Sequence, residues 1–323
     1  MNTAEKAKIY VFQCFYDTML TTFFDQNFYF FYKNLQDFCY DTRERGKTAL
    51  RDGHIHTPFC PHGSPDPLEQ YVERAIVLGY TDISFTEHAP LPERFVDPTP
   101  DRDSAMERRQ LERYLAAVAD VKARYRNDIT IRVGLEVDFI PGWEEETVRL
   151  LDEVGPLLDD SILSVHFLAH KGQYVCIDYS ADMFADIVRL FGSVEHVHRT
   201  YYETVRQSIR TDMGRYKPKR IGHLTLVRKF WRRFPCPDPM TDLVLAILDD
   251  IEQFGYEIDY NGAGAAKPLC LEPYPPNHLI TEARRRGIPI VYGSDAHRAA
   301  DLHQGRDVMD HEALSIDNRQ ASS

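Results

Sequence analysis

The stretch RDGHIHTPFCPHGS, residues 51–64, carries three histidines, two prolines and a cysteine. His54 and His56 flank Ile55, so on an extended strand both imidazoles project to one side and can reach a single ion. Two neutral imidazoles leave a divalent metal undercharged. A carboxylate must therefore come from elsewhere in the chain, and where it comes from decides the fold.

Outward from this stretch, seven β-rich runs alternate with helix-like segments: DGHIHT, TDISFTEH, ITIRVGLEVDF, SILSVHF, RIGHLTLV, YEIDYNGAG and PIVYGSDAH. Between them lie PLEQYVERAIVLGY, MERRQLERYLAAVADVKARYR and PMTDLVLAILDDIEQFGY. In the first, Pro67 suits an opening turn and Leu68, Val72, Ala75, Ile76 and Gly79 fall on one face. Strand, helix, strand repeated seven times predicts an α/β fold with a parallel sheet closed into a barrel. In such folds the loops at the carboxyl edge converge, and chemistry collects there.

Candidate residues sit at that edge on nearly every run. His54 and His56 end the first, with His62 in the loop beyond, and Glu87 and His88 end the second. Glu136 and Asp138 lie on the third, His166 on the fourth, His223 on the fifth, Asn261 on the sixth, and Asp295 and His297 on the seventh. Glu136 can supply the missing charge and bridge to a second ion, Asp295 can close the first site, and His166 and His223 can fill the second. His62, His88 and His297 make a nitrogen-rich third. Imidazole with carboxylate suits Zn, Mn or Fe. Each residue also has a plainer reading. A lone HxH often bonds to backbone, and a histidine in an apolar run is usually a hydrogen-bonded core residue. Asp52 fits a salt bridge at a strand start as well as the orienting of a ligand, Glu87 and Asp138 fit supports of a ligand, and Cys60, which between ligands could bind a soft metal, fits packing in a proline-bounded loop. Glu136 in an apolar run is costly unless paired.

At 323 residues, 43% hydrophobic, with a net charge of −12, the chain has a sizeable core and no overall basic character for tracking nucleic acid. No nucleic-acid or membrane partner is expected. Six cysteines, at 14, 39, 60, 176, 236 and 270, lack paired spacing and suggest reduced thiols in the cytoplasm. Three domain segments are expected: an aromatic-rich extension over 1–48, a barrel over 49–315 and a tail over 316–323. For the extension three readings stand: a partner-binding or membrane-surface segment, a helix packed on the barrel, or translation from upstream of the true start.

The runs DGHIHTPFCPHG, ISFTEHAP, GLEVDF, SVHF, IGHLTLVRKF and YGSDAH, in this order, resemble the polymerase and histidinol phosphatase (PHP) family of metallohydrolases, with its monofunctional histidinol-phosphatases most similar. The resemblance spans roughly residues 50–310 and implies a distorted (β/α)7 barrel with a trinuclear site. It places His54, His56, Glu136 and Asp295 on the first metal, Glu136, His166 and His223 on the second, and His62, His88 and His297 on the third. The implied activity is hydrolysis of the small phosphomonoester L-histidinol phosphate, a step in L-histidine biosynthesis, with three divalent ions as cofactors. Glu136, Asp295 and His297 are then the catalytic candidates, the last two for proton transfer. Arg228, Arg199 and Asn261 are candidates for binding substrate, a guanidinium suiting phosphate through paired hydrogen bonds. Two other functions stay open: a phosphoesterase acting on nucleotides or oligonucleotide ends, and a metal-stabilised regulatory or interaction module.

Overall fold

The structure, a computed structural model, describes residues 50–315, so the segments read over 1–48 and 316–323 lie outside the described residues. β1 (Arg51–Ile55), β2 (Asp82–His88), β3 (Thr130–Asp138), β4 (Asp160–Ser164), β7 (Arg220–Ile221), β8 (Glu257–Asn261) and β9 (Ile290–Gly293) pair in that order, all in parallel. The first and last strands meet beyond their ends. The His56 amide donates to the Ala296 carbonyl at 3.0 Å and the Asp295 amide to that of His54 at 2.7 Å. These bonds nearly close the sheet into a barrel. All seven sequence runs supply a strand.

The helices cover the outside. α1 (Leu68–Val77) buries Leu68, Tyr71, Val72 and Ala75, an i, i+3, i+4, i+7 stripe. Two details differ from the expected face: Ile76 is only half-buried, and Gly79 is exposed at φ 86°, where it ends the helix. α2 (Leu111–Arg124) buries Tyr114, whose hydroxyl donates to the carbonyls of Phe85 at 2.9 Å and Gly134 at 2.6 Å. α3 (Glu144–Val154) follows β3. The insert after the fourth strand forms α4 (Ala181–Phe191) and α5 (Val194–Arg210), capped by Ser180 and Ser193, whose side chains accept amides three residues on. α6 (Thr241–Phe254), α7 (Ala263–Ala266), α8 (Asn277–Arg285) and α9 (His311–Ser315) complete the described chain.

Strand alternation sorts the core. On β2, β3 and β8 the positions Ile83, Phe85, Val133, Leu135, Val137, Ile258 and Tyr260 are apolar and buried. The alternate positions Ser84, Thr86, His88, Glu136, Asp138, Asp259 and Asn261 are polar and equally buried. The barrel interior is thus filled by buried polar side chains inside an apolar jacket. At its amino end Asp160 accepts from Ser84, Arg51 and the fully buried Arg220.

Two runs depart from simple strands. RIGHLTLV is extended only over Arg220–Ile221, because His223 has φ 22° and a 3-10 turn over Leu226–Phe230 follows. SILSVHF ends as a strand at Ser164, and an antiparallel hairpin, β5 (Phe167–His170) and β6 (Gln173–Cys176), rises directly after His166.

Candidate metal centre

Glu136, two residues before the end of β3, divides its two oxygens between two sets of imidazoles. Oε1 lies 2.8 Å from His223 Nε2 and 3.6 Å from His166 Nε2, which are 3.2 Å from each other. Oε2 lies 3.3 Å from His54 Nε2, 3.5 Å from His56 Nε2 and 3.1 Å from His88 Nδ1. Asp295 Oδ1 is 3.1 Å from His56 Nε2 and 3.9 Å from His54 Nε2. His62 and His297 bring their Nε2 atoms to 3.1 Å of each other, and the His297 ring stacks on His56 at 4.0 Å. All nine residues implied as ligands are therefore in one connected cluster.

The donor atoms fit divalent ions. An ion with four bonds of about 2.1 Å spaces its donors about 3.4 Å apart, the middle of the observed spread. His54 Nε2, His56 Nε2, both ring nitrogens of His88 and Glu136 Oε2 are buried without a hydrogen-bond partner. Buried polar atoms are rarely left so, and cations held by these groups account for the two imidazoles, the carboxylate oxygen and one nitrogen of His88, whose two ring nitrogens face different ways.

Each ring is aimed by its other nitrogen or by its backbone. Asp259 Oδ2 sits 2.9 Å from His54 Nδ1 and also accepts the His223 amide at 3.1 Å. Glu87 holds His56 Nδ1 at 3.2 Å and accepts the Thr57 amide at 2.8 Å, and Asp138 holds His166 Nδ1 at 2.7 Å. His62 Nδ1 reaches the Asp103 carbonyl at 2.7 Å. Such partners fix which ring nitrogen faces the ion. Asp52 accepts the amides of His54 and Ser294 instead of forming a salt bridge.

Backbone geometry serves the same cluster. A Cβ on Gly293 would lie 2.1 Å from Asp259 Oδ1 and 2.7 Å from His54 Cβ. One on Gly222 would meet Ser164 Oγ at 2.1 Å, and that hydroxyl donates to Glu136 Oε1 at 2.6 Å. The glycines of YGSDAH and IGH leave room for these contacts. His223 and Asp295 hold φ of 22° and 54°, a left-handed backbone that costs a residue with a Cβ.

Charge is distributed unevenly. Burial opposes ionisation of Glu136, yet His54, His88 and His166 hold its pKa well below the usual range. Burial likewise opposes charge on His56 and His166, but Asp295 and Glu87 push the first up to about 9, and Asp138 and Glu136 push the second to about 10. His54 is raised well above its ordinary value by Asp259, Glu136 and Asp295 against its burial. His88 and His297 go the other way, lowered by burial and by the neighbouring His56.

The residues expected to meet substrate are placed differently. Arg228 turns to Glu272, and Arg199 is half-exposed, 3.8 Å from Asp238, so neither hydrogen-bonds to the cluster. Asn261 Nδ2 points to Asp259 at 3.0 Å and Asp295 at 3.2 Å, bracing the centre. Sequence reading passed over two features. Asp259 shares its strand face with Asn261, two positions on, a signal that was available. Lys229, next to Arg228, pairs with Asp178 at 2.9 Å, and Ile177, before Asp178, donates its amide to the His166 carbonyl at 3.0 Å. Lys229 also feels the charge of Asp295, and Asp178 that of His166.

A nearly closed parallel barrel gathering imidazoles about a shared carboxylate defines a divalent-metal enzyme of the α/β class. A family model described as the PHP domain matches residues 52–263, and the chain belongs to that family. It is 48% identical over 254 residues to the histidinol-phosphatase of Bacillus subtilis, covering 78% of this chain and 95% of that protein. A solved structure of a histidinol phosphatase candidate from Listeria monocytogenes matches with a TM-score of 0.77 at 39% identity, over 80% of this chain and 99% of that one. A histidinol phosphate phosphatase of Lactococcus lactis, solved with zinc, L-histidinol and phosphate, shares the fold at a TM-score of 0.60 and 20% identity, over 82% and 93% of the two chains.

Proposed function

We infer that this chain hydrolyses L-histidinol phosphate to L-histidinol and phosphate, a step in L-histidine biosynthesis, using three divalent ions. The observation that carries the reading is Glu136, whose oxygens each meet a separate set of imidazoles at donor spacing. It stands on a chain 48% identical to a curated histidinol-phosphatase.

His54, His56, Glu136 and Asp295 would hold the first ion, Glu136, His166 and His223 the second, and His62, His88 and His297 the third. Bound there, Zn, Mn or Fe supplies Lewis acidity to the phosphoryl oxygens and makes water acidic enough to attack at neutral pH. The chain's own groups do the rest. Glu136 keeps the two sites in register, while Asp138, Glu87 and Asp259 keep the rings facing inward. Asp295, at the end of the last strand, would handle the proton lost by the attacking water and the one gained by the leaving alcohol through Oδ2, the oxygen turned away from the imidazoles. Ligation competes with that role at His297, whose Nε2 faces His62 and whose Nδ1 meets the Asp295 carbonyl. The phosphate-anchoring role first read for Arg228 passes to Lys229: both are ion-paired, Arg228 with Glu272 and Lys229 with Asp178, but it is the Lys229–Asp178 pair that feels the charges of Asp295 and His166.

The net charge of −12 favours a small substrate over nucleic acid, and a purely structural module would not need so many donors around one carboxylate. No helix among the described residues is long and apolar enough to cross a membrane. The unpaired state of Cys60, Cys176, Cys236 and Cys270 suits the cytoplasm. Rates of the metal-loaded protein on histidinol phosphate and on nucleoside monophosphates test the reading. Preference for histidinol phosphate is expected, and faster turnover of a nucleotide overturns it.

A further inference from the structure

The proline-bounded loop between His56 and His62 folds tightly. The Cys60 amide donates to the Thr57 carbonyl at 3.0 Å, and the Gly63 amide donates to the Cys60 carbonyl at 3.1 Å. These turns carry the Cys60 side chain inward, where it is only 5% exposed. Its sulfur joins ring nitrogens of His56, His88 and His297 in a group of donor atoms that all lie within 4.8 Å of one another. His88 is itself only 6% exposed, and both its ring nitrogens lack a hydrogen-bond partner. The sulfur therefore faces unsatisfied ring nitrogens, and among the described residues its only other polar neighbour of note is the His62 backbone. Elsewhere in the described chain Cys176, Cys236 and Cys270 turn their sulfurs to an oxygen of Asp178, Asp238 and Glu272.

We propose that Cys60 is a ligand of the third metal, completing a set of three imidazole nitrogens and one sulfur with His62, His88 and His297. The inference rests on the trinuclear reading above and goes beyond it by making one of the three sites chemically unlike the other two. On binding, the S–H bond breaks, its proton leaves to solvent and a sulfur–metal bond forms, with no change of oxidation state. A thiolate is a soft donor, so the third site selects Zn, Fe or Co over Mn, whereas the carboxylate-bridged pair accepts any of them. The loop 57–62 would then be tied to the carboxyl edge of β2 and to the segment after β9 through one ion.

Cobalt substitution of the full chain tests this without relying on turnover. Metal content and the ultraviolet–visible spectrum are read together after loading with Co2+. Three cobalt ions per chain, with a near-ultraviolet sulfur-to-cobalt charge-transfer band that disappears in Cys60→Ser, are expected. Three ions with no such band overturn the Cys60 assignment and leave the trinuclear reading standing. Only two ions overturn both. With Mn2+ alone, two ions per chain are expected, and a third bound as firmly counts against a sulfur donor.

Discussion

The two halves of the metal cluster are built on opposite terms. Around Glu136 and Asp295, the imidazoles of His54, His56 and His166 face carboxylates closely enough to carry protons at neutral pH when no metal is present. Around His297 and His88, burial and the neighbouring His56 keep the rings neutral and ready to donate. The first half must expel ring protons to take a metal, while the second, with His88 and His297 already neutral, has only the Cys60 thiol proton to lose. The difference follows from the balance of neighbours: Asp138, Asp259 and Glu87 touch rings of the first half, whereas His88, though 3.1 Å from Glu136, and His297, though 3.6 Å from Asp295, are outweighed by burial and by the His56 imidazole.

The largest expected effect breaks the comparison at its centre. Glu136→Gln removes the charge shared by two sites, so turnover should fall by roughly a thousandfold, as for other groups that stabilise transition-state charge, with two ions lost and the fold kept. Elemental analysis alongside circular dichroism reads this, and full metal content with normal turnover would remove Glu136 from the mechanism. Asp259→Asn acts one step further out. It should weaken metal binding at the carboxylate-bridged pair by about 10- to 100-fold while sparing the third ion, and uniform weakening in competition titrations would erase the distinction between the halves. Lys229→Met tests the mouth of the pair. KM for histidinol phosphate should rise about tenfold, the scale of a hydrogen bond to a charged group, with metal content unchanged. Arg228→Met should do less, and the reverse order would restore the arginine.

The smallest effect is on stability against pH. His56 and His166 have folded pKa values of about 9 and 10 against an ordinary 6.5, so their contribution is fully present below about pH 6.5. It is lost as pH rises through the folded values. Chelated protein should therefore melt at progressively lower temperature from pH 6.5 toward 10, while metal-loaded protein, whose rings carry no such protons, should not. Metal uptake by the pair should release ring protons to buffer across that range, and uptake by the third site only the proton of the Cys60 thiol. Identical melting profiles with and without metal would contradict the proton-loaded half.

Much of this was legible in the sequence because barrel strands deliver their chemistry at one edge. Seven runs carried His, Glu, Asp or Asn at or near their ends, and alternation around Ile55 and Val137 placed His54 with His56 and Glu136 with Asp138. The less legible parts depend on turns. His223 leaves the strand at a left-handed step, so an apolar run read as one long strand becomes a two-residue strand and a 3-10 turn. In that turn successive side chains point about 120° apart, which sends Arg228 to Glu272 and Lys229 to Asp178. Spacing alone could not choose between them. The hairpin after His166 had a usable mark in Lys171-Gly172, both at positive φ, but the run before it looked complete as a strand.

The left-handed backbone at His223 and Asp295 sets selection for stability against selection for chemistry. Glycine would adopt either conformation without the steric cost that histidine and aspartate bear there. A descendant freed from the need to bind metal would gain by drifting to glycine at these two positions, before the packed jacket of the barrel recorded any change. In an otherwise well-preserved barrel of this kind, those two positions would be early markers of a lineage that had kept the architecture and abandoned the reaction.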